Sequence, residues 1–154
     1  MEIESRIKSQ FPNVATTTTP QGEFQVRVPA EDLFGFCKFT LEQLGFENLS
    51  CLTAVDRKDR LELVLHLYTM KSRQPKLVVK VDLPRENPEV ASVTPIWPTA
   101  NWHEREAFDM FGIVFTGHPD LCRILLPENW QGGFPLRKDF VDRRPERPRL
   151  TRER

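Results

Sequence analysis

The sequence has few cysteines, and none is placed to work with another. Cys37, Cys51 and Cys122 are its three, and no two form a CxxC pair. An iron–sulfur cluster or a structural zinc normally takes about four clustered ligands, so reduced thiols packed as small hydrophobes are expected here. Any electron-transfer cofactor would then sit in another chain. Excess charge is also missing. Lys+Arg and Asp+Glu both total 22, which gives no overall pull toward nucleic acid or anionic lipid. The longest apolar runs fall far short of the roughly 20 residues that span a bilayer. The opening Met1-Glu-Ile-Glu-Ser-Arg lacks the basic segment and apolar run that mark secretion. These absences point to a cytoplasmic or organelle-interior protein, with any membrane attachment made through partners and not by direct insertion.

What is present is enough for one ordered domain with a trailing extension. The chain has 154 residues, 39% hydrophobic and 29% charged, and it shows no internal repeat. Its neutrality hides an asymmetry. Residues 137–154 hold eight Lys/Arg and four Asp/Glu, a net of +4, which leaves a net of −4 on residues 1–136.

The first half reads as alternating helix and strand. Residues 2–10 predict a short helix that stops near Pro12. Phe24, Val26 and Val28 fall at every second position of a strand. After Pro29, Leu33, Cys37, Leu41 and Leu44 form one apolar helical stripe, and Gly45 suits the left-handed residue that ends a helix. Three strands follow. In the first, Leu49, Cys51, Thr53 and Val55 alternate with Ser50, Leu52, Ala54 and Asp56. In the second, Leu61, Leu63, Leu65 and Leu67 share a face opposite Glu62, Val64, His66 and Tyr68. In the third, Leu77, Val79, Val81 and Leu83 point inward. Such alternation predicts an antiparallel sheet with one covered face and one wetter face. The expected fold is α+β: a mostly antiparallel sheet covered by helices on one face, then a Pro-rich irregular segment with one short helix and an extended C-terminal tail. The expected division is residues 1–95 as the α+β domain, 96–140 as a segment packed on it and on partners, and 141–154 as a basic tail that is disordered alone and extended along an acidic partner.

The one helix of the second half is expected near Trp102–Phe111. Asn101 would cap it and Glu104 would complete a capping-box-like pair. Arg105 and Asp109 stand at i, i+4 spacing, Ala107, Phe108, Met110 and Phe111 give the apolar surface, and Gly112 supplies the stop.

The run Glu104-Arg105-Glu106-Ala107-Phe108-Asp109-Met110-Phe111-Gly112-Ile113, then Phe115, Gly117-His118-Pro119-Asp120-Leu121 and Arg123-Ile124-Leu125, resembles the signature of the complex I (NADH-quinone oxidoreductase, NDH-1) C subunit, the 30-kDa subunit family. Gly133-Phe134-Pro135-Leu136-Arg137-Lys138-Asp139-Phe140 resembles that family's second motif, in the expected order. Cys122 departs from the pattern, which usually has a basic residue or proline there. The resemblance implies a non-catalytic structural subunit of a hydrophilic arm that couples electron transfer to proton translocation, with NADH, reduced F420 or ferredoxin as the donor to quinone. It implies no cofactor in this chain, with iron–sulfur clusters and quinone in partner subunits. It also implies contacts with the large D (49-kDa-type) subunit and the iron–sulfur subunits, on the cytoplasmic side of the membrane, or the stromal side in a plastid-type member. The residues expected to engage partners are Glu104, Arg105, Glu106, Asp109, His118, Arg123, Arg137, Lys138 and Asp139.

Other classes fit less well. His103-Glu104 is not followed by His at 107, so the HExxH metal geometry is missing. Glu104, Glu106 and Asp109 could pair as acid–base carboxylates, but no nucleophile, oxyanion loop or glycine-rich phosphate cradle accompanies them. A nucleic-acid module using the basic tail would interleave aromatics among its arginines, and only Phe134 and Phe140 are near.

Overall fold

The computed structural model describes residues 2–20, 22–70 and 76–143. Most of the expected basic tail falls outside these residues.

Strands β3 (Asn48–Asp56), β4 (Arg60–Tyr68) and β5 (Lys76–Pro84) carry the alternating sequence. β4 and β5 pair antiparallel, with Leu61 opposite Leu83, Leu63 opposite Val81, Leu65 opposite Val79 and Leu67 opposite Leu77. Because partners share odd parity, all eight apolar side chains meet on one face, and each is at most 1% exposed. β3 departs from strict period two. Its register on β4 shifts between Leu49 and Cys51. The extra residue lets Leu49 and then Leu52, Ala54 and Asp56 share the core face, so one bulge changes the parity of the strand. Asp56 thereby enters the covered face at the end of the sheet, opposite Leu61.

β2 (Phe24–Arg27) adds to β5 in parallel, and β1 (Ala15–Thr18) adds to β2 antiparallel. The strand order is β1-β2-β5-β4-β3. The parallel pair follows from connectivity. A helix and the β3–β4 hairpin lie between β2 and β5, long enough to bring the chain back in the same direction. β1 has no alternating apolar signal; its threonines suit an exposed edge.

Helix α1 (Glu2–Gln10) contributes Ile7 to the core. A 3-10 turn, Ala30–Asp32, leads into α2 (Leu33–Leu44). The buried face of α2 is Leu33, Phe36, Cys37 and Thr40, while Leu41 and Leu44 are only partly buried, so the stripe is rotated from the one the sequence suggested. Burial pushes the Cys37 thiol well above its ordinary range, as suits an inert packed hydrophobe. Gly45 ends the helix at φ 73°. The opposite, wetter sheet face carries an ion-pair network. Arg27 and Arg57 both bind Glu62, at 3.0 and 2.8 Å, and Arg27 also pairs with Asp82.

In the Pro-rich half, β6 (Glu89–Ala91) and β7 (Val114–Thr116) form a short parallel pair around α3 (Ala100–Phe111). α3 packs along the outer strand β3, and the Thr99 hydroxyl donates to Leu49 O at 3.4 Å. The core runs without a break from Ile7 through Trp97, Ala107 and Phe111 to Phe115. The expected cap of α3 is corrected. The helix starts before Asn101, its N-cap is Thr99 without a side-chain cap bond, and Glu104 turns into the protein. A buried acceptor that three donors can reach outweighs a cap bond made in water.

Gly112 ends α3 at φ 76°, and the Phe134 ring lies where a Cβ would stand, 2.4 Å from its ideal position. Gly112→Ala should therefore cost about 1–2 kcal/mol for the left-handed backbone alone and displace Phe134. A shift of the denaturation midpoint together with loss of the Phe134–Gly112 contact in NMR spectra checks this.

Candidate functional site

The irregular stretches of residues 92–140 are held by three carboxylates, two on α3 and one at the end of β3, each accepting from a different stretch of chain. Glu104, on α3, is 0% exposed. Its Oε1 accepts the Val93 N–H at 2.7 Å, and its Oε2 accepts the Ser92 hydroxyl at 2.6 Å and the Thr94 hydroxyl at 3.0 Å. Burial pushes its carboxyl above its ordinary value, and the donors from Ser92, Val93 and Thr94 oppose that only in part. The His118 side chain is also fully buried, with Nε2 3.9 Å from Glu104 and 3.2 Å from Asn101 O. Its Nδ1 accepts the Asp120 N–H at 3.0 Å, which leaves the ring proton on Nε2, facing Asn101 O.

One turn further along α3, Asp109 gathers the irregular segment. Its Oδ2 accepts the N–H groups of Ile124, Leu125 and Leu126 at 2.8, 2.8 and 3.1 Å. The expected Arg105–Asp109 pairing is corrected here. Arg105 instead donates to the carbonyls of Cys122 and Arg123, both at 3.1 Å. An irregular stretch presents both unpaired N–H and unpaired C=O groups, and one acid and one base of the same helix face satisfy both. Position 122 is held through its carbonyl, so the departure to cysteine there leaves this contact intact.

The third carboxylate is Asp56, at the end of β3. It accepts the Lys58 N–H at 2.7 Å and the Lys138 N–H at 2.8 Å, and it pairs with Arg85. The other arm of Arg85 reaches Asp139 at 2.7 Å. Burial alone would raise the Asp56 carboxyl, but the Lys138 N–H, Arg85 and the Lys58 N–H overcome it and hold the group at about 2, against an ordinary 3.8. Alongside, Arg137 donates from Nε to Phe111 O at 2.7 Å and lies over the Phe134 ring at 4.7 Å, and Leu136 N–H donates to Met110 O at 3.2 Å.

The expected partner-binding set thus divides. Glu104, Asp109 and His118 direct their side chains inward, where they brace this chain. Arg105, Arg123 and Arg137 are half-buried, and Arg105 and Arg137 are occupied by backbone carbonyls. Glu106, Lys138 and Asp139 are exposed, although Asp139 is paired with Arg85. Asp56, Arg85 and Ser92 were missed by sequence reasoning. The one available signal was an aspartate at the end of an otherwise apolar alternating strand. Large apolar side chains also face outward beside these charges: Trp102 at 70% exposure, Leu125 at 60% and Leu136 at 52%. Among the described residues no three His, Cys, Asp or Glu side chains are grouped to hold a metal ion, and no helix is long and apolar enough to cross a membrane.

A family model described as the 30 Kd subunit of respiratory-chain NADH dehydrogenase matches residues 26–146. The NADH-quinone oxidoreductase C subunit of Roseiflexus castenholzii is 42% identical over 143 residues, covering 89% of this chain and 81% of the relative. That of Chloroherpeton thalassium is 51% identical over 100 residues, and there the match spans 41% of the relative's length. Among solved structures, a trypsin-resistant fragment (1–134) of Nqo5 matches 79% of this chain at 29% identity and a TM-score of 0.65. A chain of the membrane-bound sulfane sulfur reductase, an archaeal respiratory membrane complex, matches 91% of it at 28% identity and a TM-score of 0.79.

Two outcomes follow from the buried carboxylates. Glu104→Gln keeps an acceptor for Val93 N–H and lets the hydroxyls reorient, so it should stay within about 1 kcal/mol of wild type, whereas Glu104→Ala should cost about 2–4 kcal/mol; urea denaturation of both variants decides. Asp56 has a depressed folded-state pKa, so its contribution is complete above an unfolded value near 3.8 and is lost as pH falls through about 2. The stability difference between wild type and Asp56→Asn should accordingly be full at about pH 5 and shrink progressively to its minimum near pH 1, read from denaturation midpoints across that range.

Proposed function

Because the chain belongs to the family of the 30 Kd subunit of respiratory-chain NADH dehydrogenase, we propose that it serves as the C subunit of a complex I-like NADH:quinone oxidoreductase. It acts there as a structural part of the hydrophilic arm and not as a catalyst. The observation that carries the reading is the division of the 104–140 region. Glu104, Asp109, Arg105 and Arg137 are used inward, to hold an irregular segment in one shape, and the side chains left outside are large and apolar or charged. α3 turns Trp102 and Glu106 outward at i, i+4 spacing, and Leu125, Phe134, Leu136 and Lys138 continue the exposed set. A rigid irregular surface with an exposed tryptophan suits permanent docking better than turnover, since aromatic anchors dominate binding energy when held in place.

The partner is the large D-type subunit, with the iron–sulfur subunits beyond it. In this reading the clusters and quinone belong to those chains, and this one positions them. Family members serve NADH:quinone oxidoreductases, and the likeness to a sulfane sulfur reductase chain fits a scaffold that touches none of the donors. The subunit sits peripherally on the cytoplasmic side of the membrane, through its partners.

Affinity capture of the tagged chain from its own membranes, followed by mass spectrometry, should recover the D-type and iron–sulfur subunits. Recovery of the chain alone at low salt would overturn the reading. Trp102→Ala should lower that recovery about tenfold, as loss of an interface anchor does, while an exposed site keeps the stability within about 0.5 kcal/mol of wild type.

A further inference from the structure

The covalent order of the chain does not explain how residues 134–140 stay on the body. They follow a Pro- and Gly-containing stretch with no regular structure and precede the basic residues at the C-terminus. Their backbone attachments are few: Leu136 N–H to Met110 O and Lys138 N–H to Asp56. The Lys138 bond spans 82 residues of sequence and ends on a side chain that is 1% exposed. Asp56 divides its two oxygens between tasks. Oδ1 takes the Lys58 N–H, fixing the β3–β4 turn where Lys58 has φ 75°, and it also takes Arg85; Oδ2 is left for Lys138. Arg85 then reaches across to Asp139, so the arm is gripped at consecutive residues, by a backbone donor at 138 and a carboxylate at 139. A carboxylate fixed by two groups of the body and offering its remaining oxygen to a distant N–H is a preformed catch, costing no reorganisation when the arm closes on it.

We propose that Asp56, with Arg85, is the latch of the C-terminal arm, a positioning residue that holds 134–140 on the α+β body and so keeps the exposed Leu136 and Lys138 presented to a partner. The positioning half rests on the function proposed above; the latch itself does not. A relative's behaviour gives the latch a setting. Nqo5 gives a trypsin-resistant fragment (1–134) that matches 79% of this chain, which makes trypsin a suitable probe. Here the arm carries trypsin targets at Arg137 and Lys138, one anchored to Phe111 O and the other beside the latch.

The test is limited trypsin digestion of the full chain, followed by intact-mass analysis of cuts after Arg137 and Lys138. Asp56→Ala and Arg85→Gln should speed these two cuts about tenfold, the rate tracking the population of the opened arm, with far-UV circular dichroism unchanged. Cutting after Arg123, whose neighbours are held by Asp109, should stay at the wild-type rate. Should Asp56→Ala fail to fold because the hairpin turn is lost, Arg85→Gln and Asp139→Asn, both altering more exposed groups, decide instead. Rates after Arg137 and Lys138 within twofold of wild type in these folded variants overturn the latch. Faster cutting with undiminished capture of the partner subunits from membranes overturns the positioning role. Failure of the wild-type chain to capture any partner overturns the proposed function, and the digestion result still decides the latch.

Discussion

A chain that leaves regular structure still has to find partners for its backbone N–H and C=O groups, and between residues 92 and 140 this protein has little helix or strand to supply them. Buried carboxylates do so instead. Glu104 serves residues 92–94, Asp109 serves 124–126, and Asp56 serves 58 and 138. Each is fixed on a helix or strand of the packed body, so each transfers the rigidity of that element to a segment with none of its own. Arg105 and Arg137 perform the complementary task for carbonyls at 122, 123 and 111. Without these groups the bonds would pass to water, and the ordered surface would become an ensemble.

The same constraint explains why charge-rich motifs appear in a protein that does no chemistry of its own in this reading. Acids and bases in a sequence invite a catalytic or ionic interpretation. Here their exposure separates the roles: Glu104 and Asp109 are at most 3% exposed, while Glu106 and Lys138 face solvent. A buried carboxylate ringed by N–H and O–H donors is costly to remove, since its partners are stranded with it. It is a structural commitment. The outward groups are then free to set the chemistry of a contact surface that the inward ones hold still.

The fold follows the sequence most closely where burial is one-sided. The leucines and valines of β4 and β5 could satisfy only one face, so their alternation determined pairing, register and core. It was less legible at Ser50, where a single unpaired residue reverses the parity of β3, and in the threonine-rich β1, which is held by hydrogen bonding at an edge and buries almost nothing. The parallel pairing of β2 with β5 has no local signature, because it follows from how far the intervening chain travels.

The site was legible in its identity and not in its wiring. Residues 104–140 resembled a family on their own, and the match over residues 26–146 places the chain in that family. Spacing on α3 nevertheless suggested that Arg105 would meet Asp109 and that Glu104 would help cap the helix, the choices available to a helix considered alone. Tertiary structure offered each of them a better partner from another part of the chain. Sequence by itself determined which faces are apolar, because that preference is local and additive. Which carboxylate is buried, and whose N–H it accepts, depended on segments as far apart as 56 and 138 meeting in space, and only the folded chain could decide that.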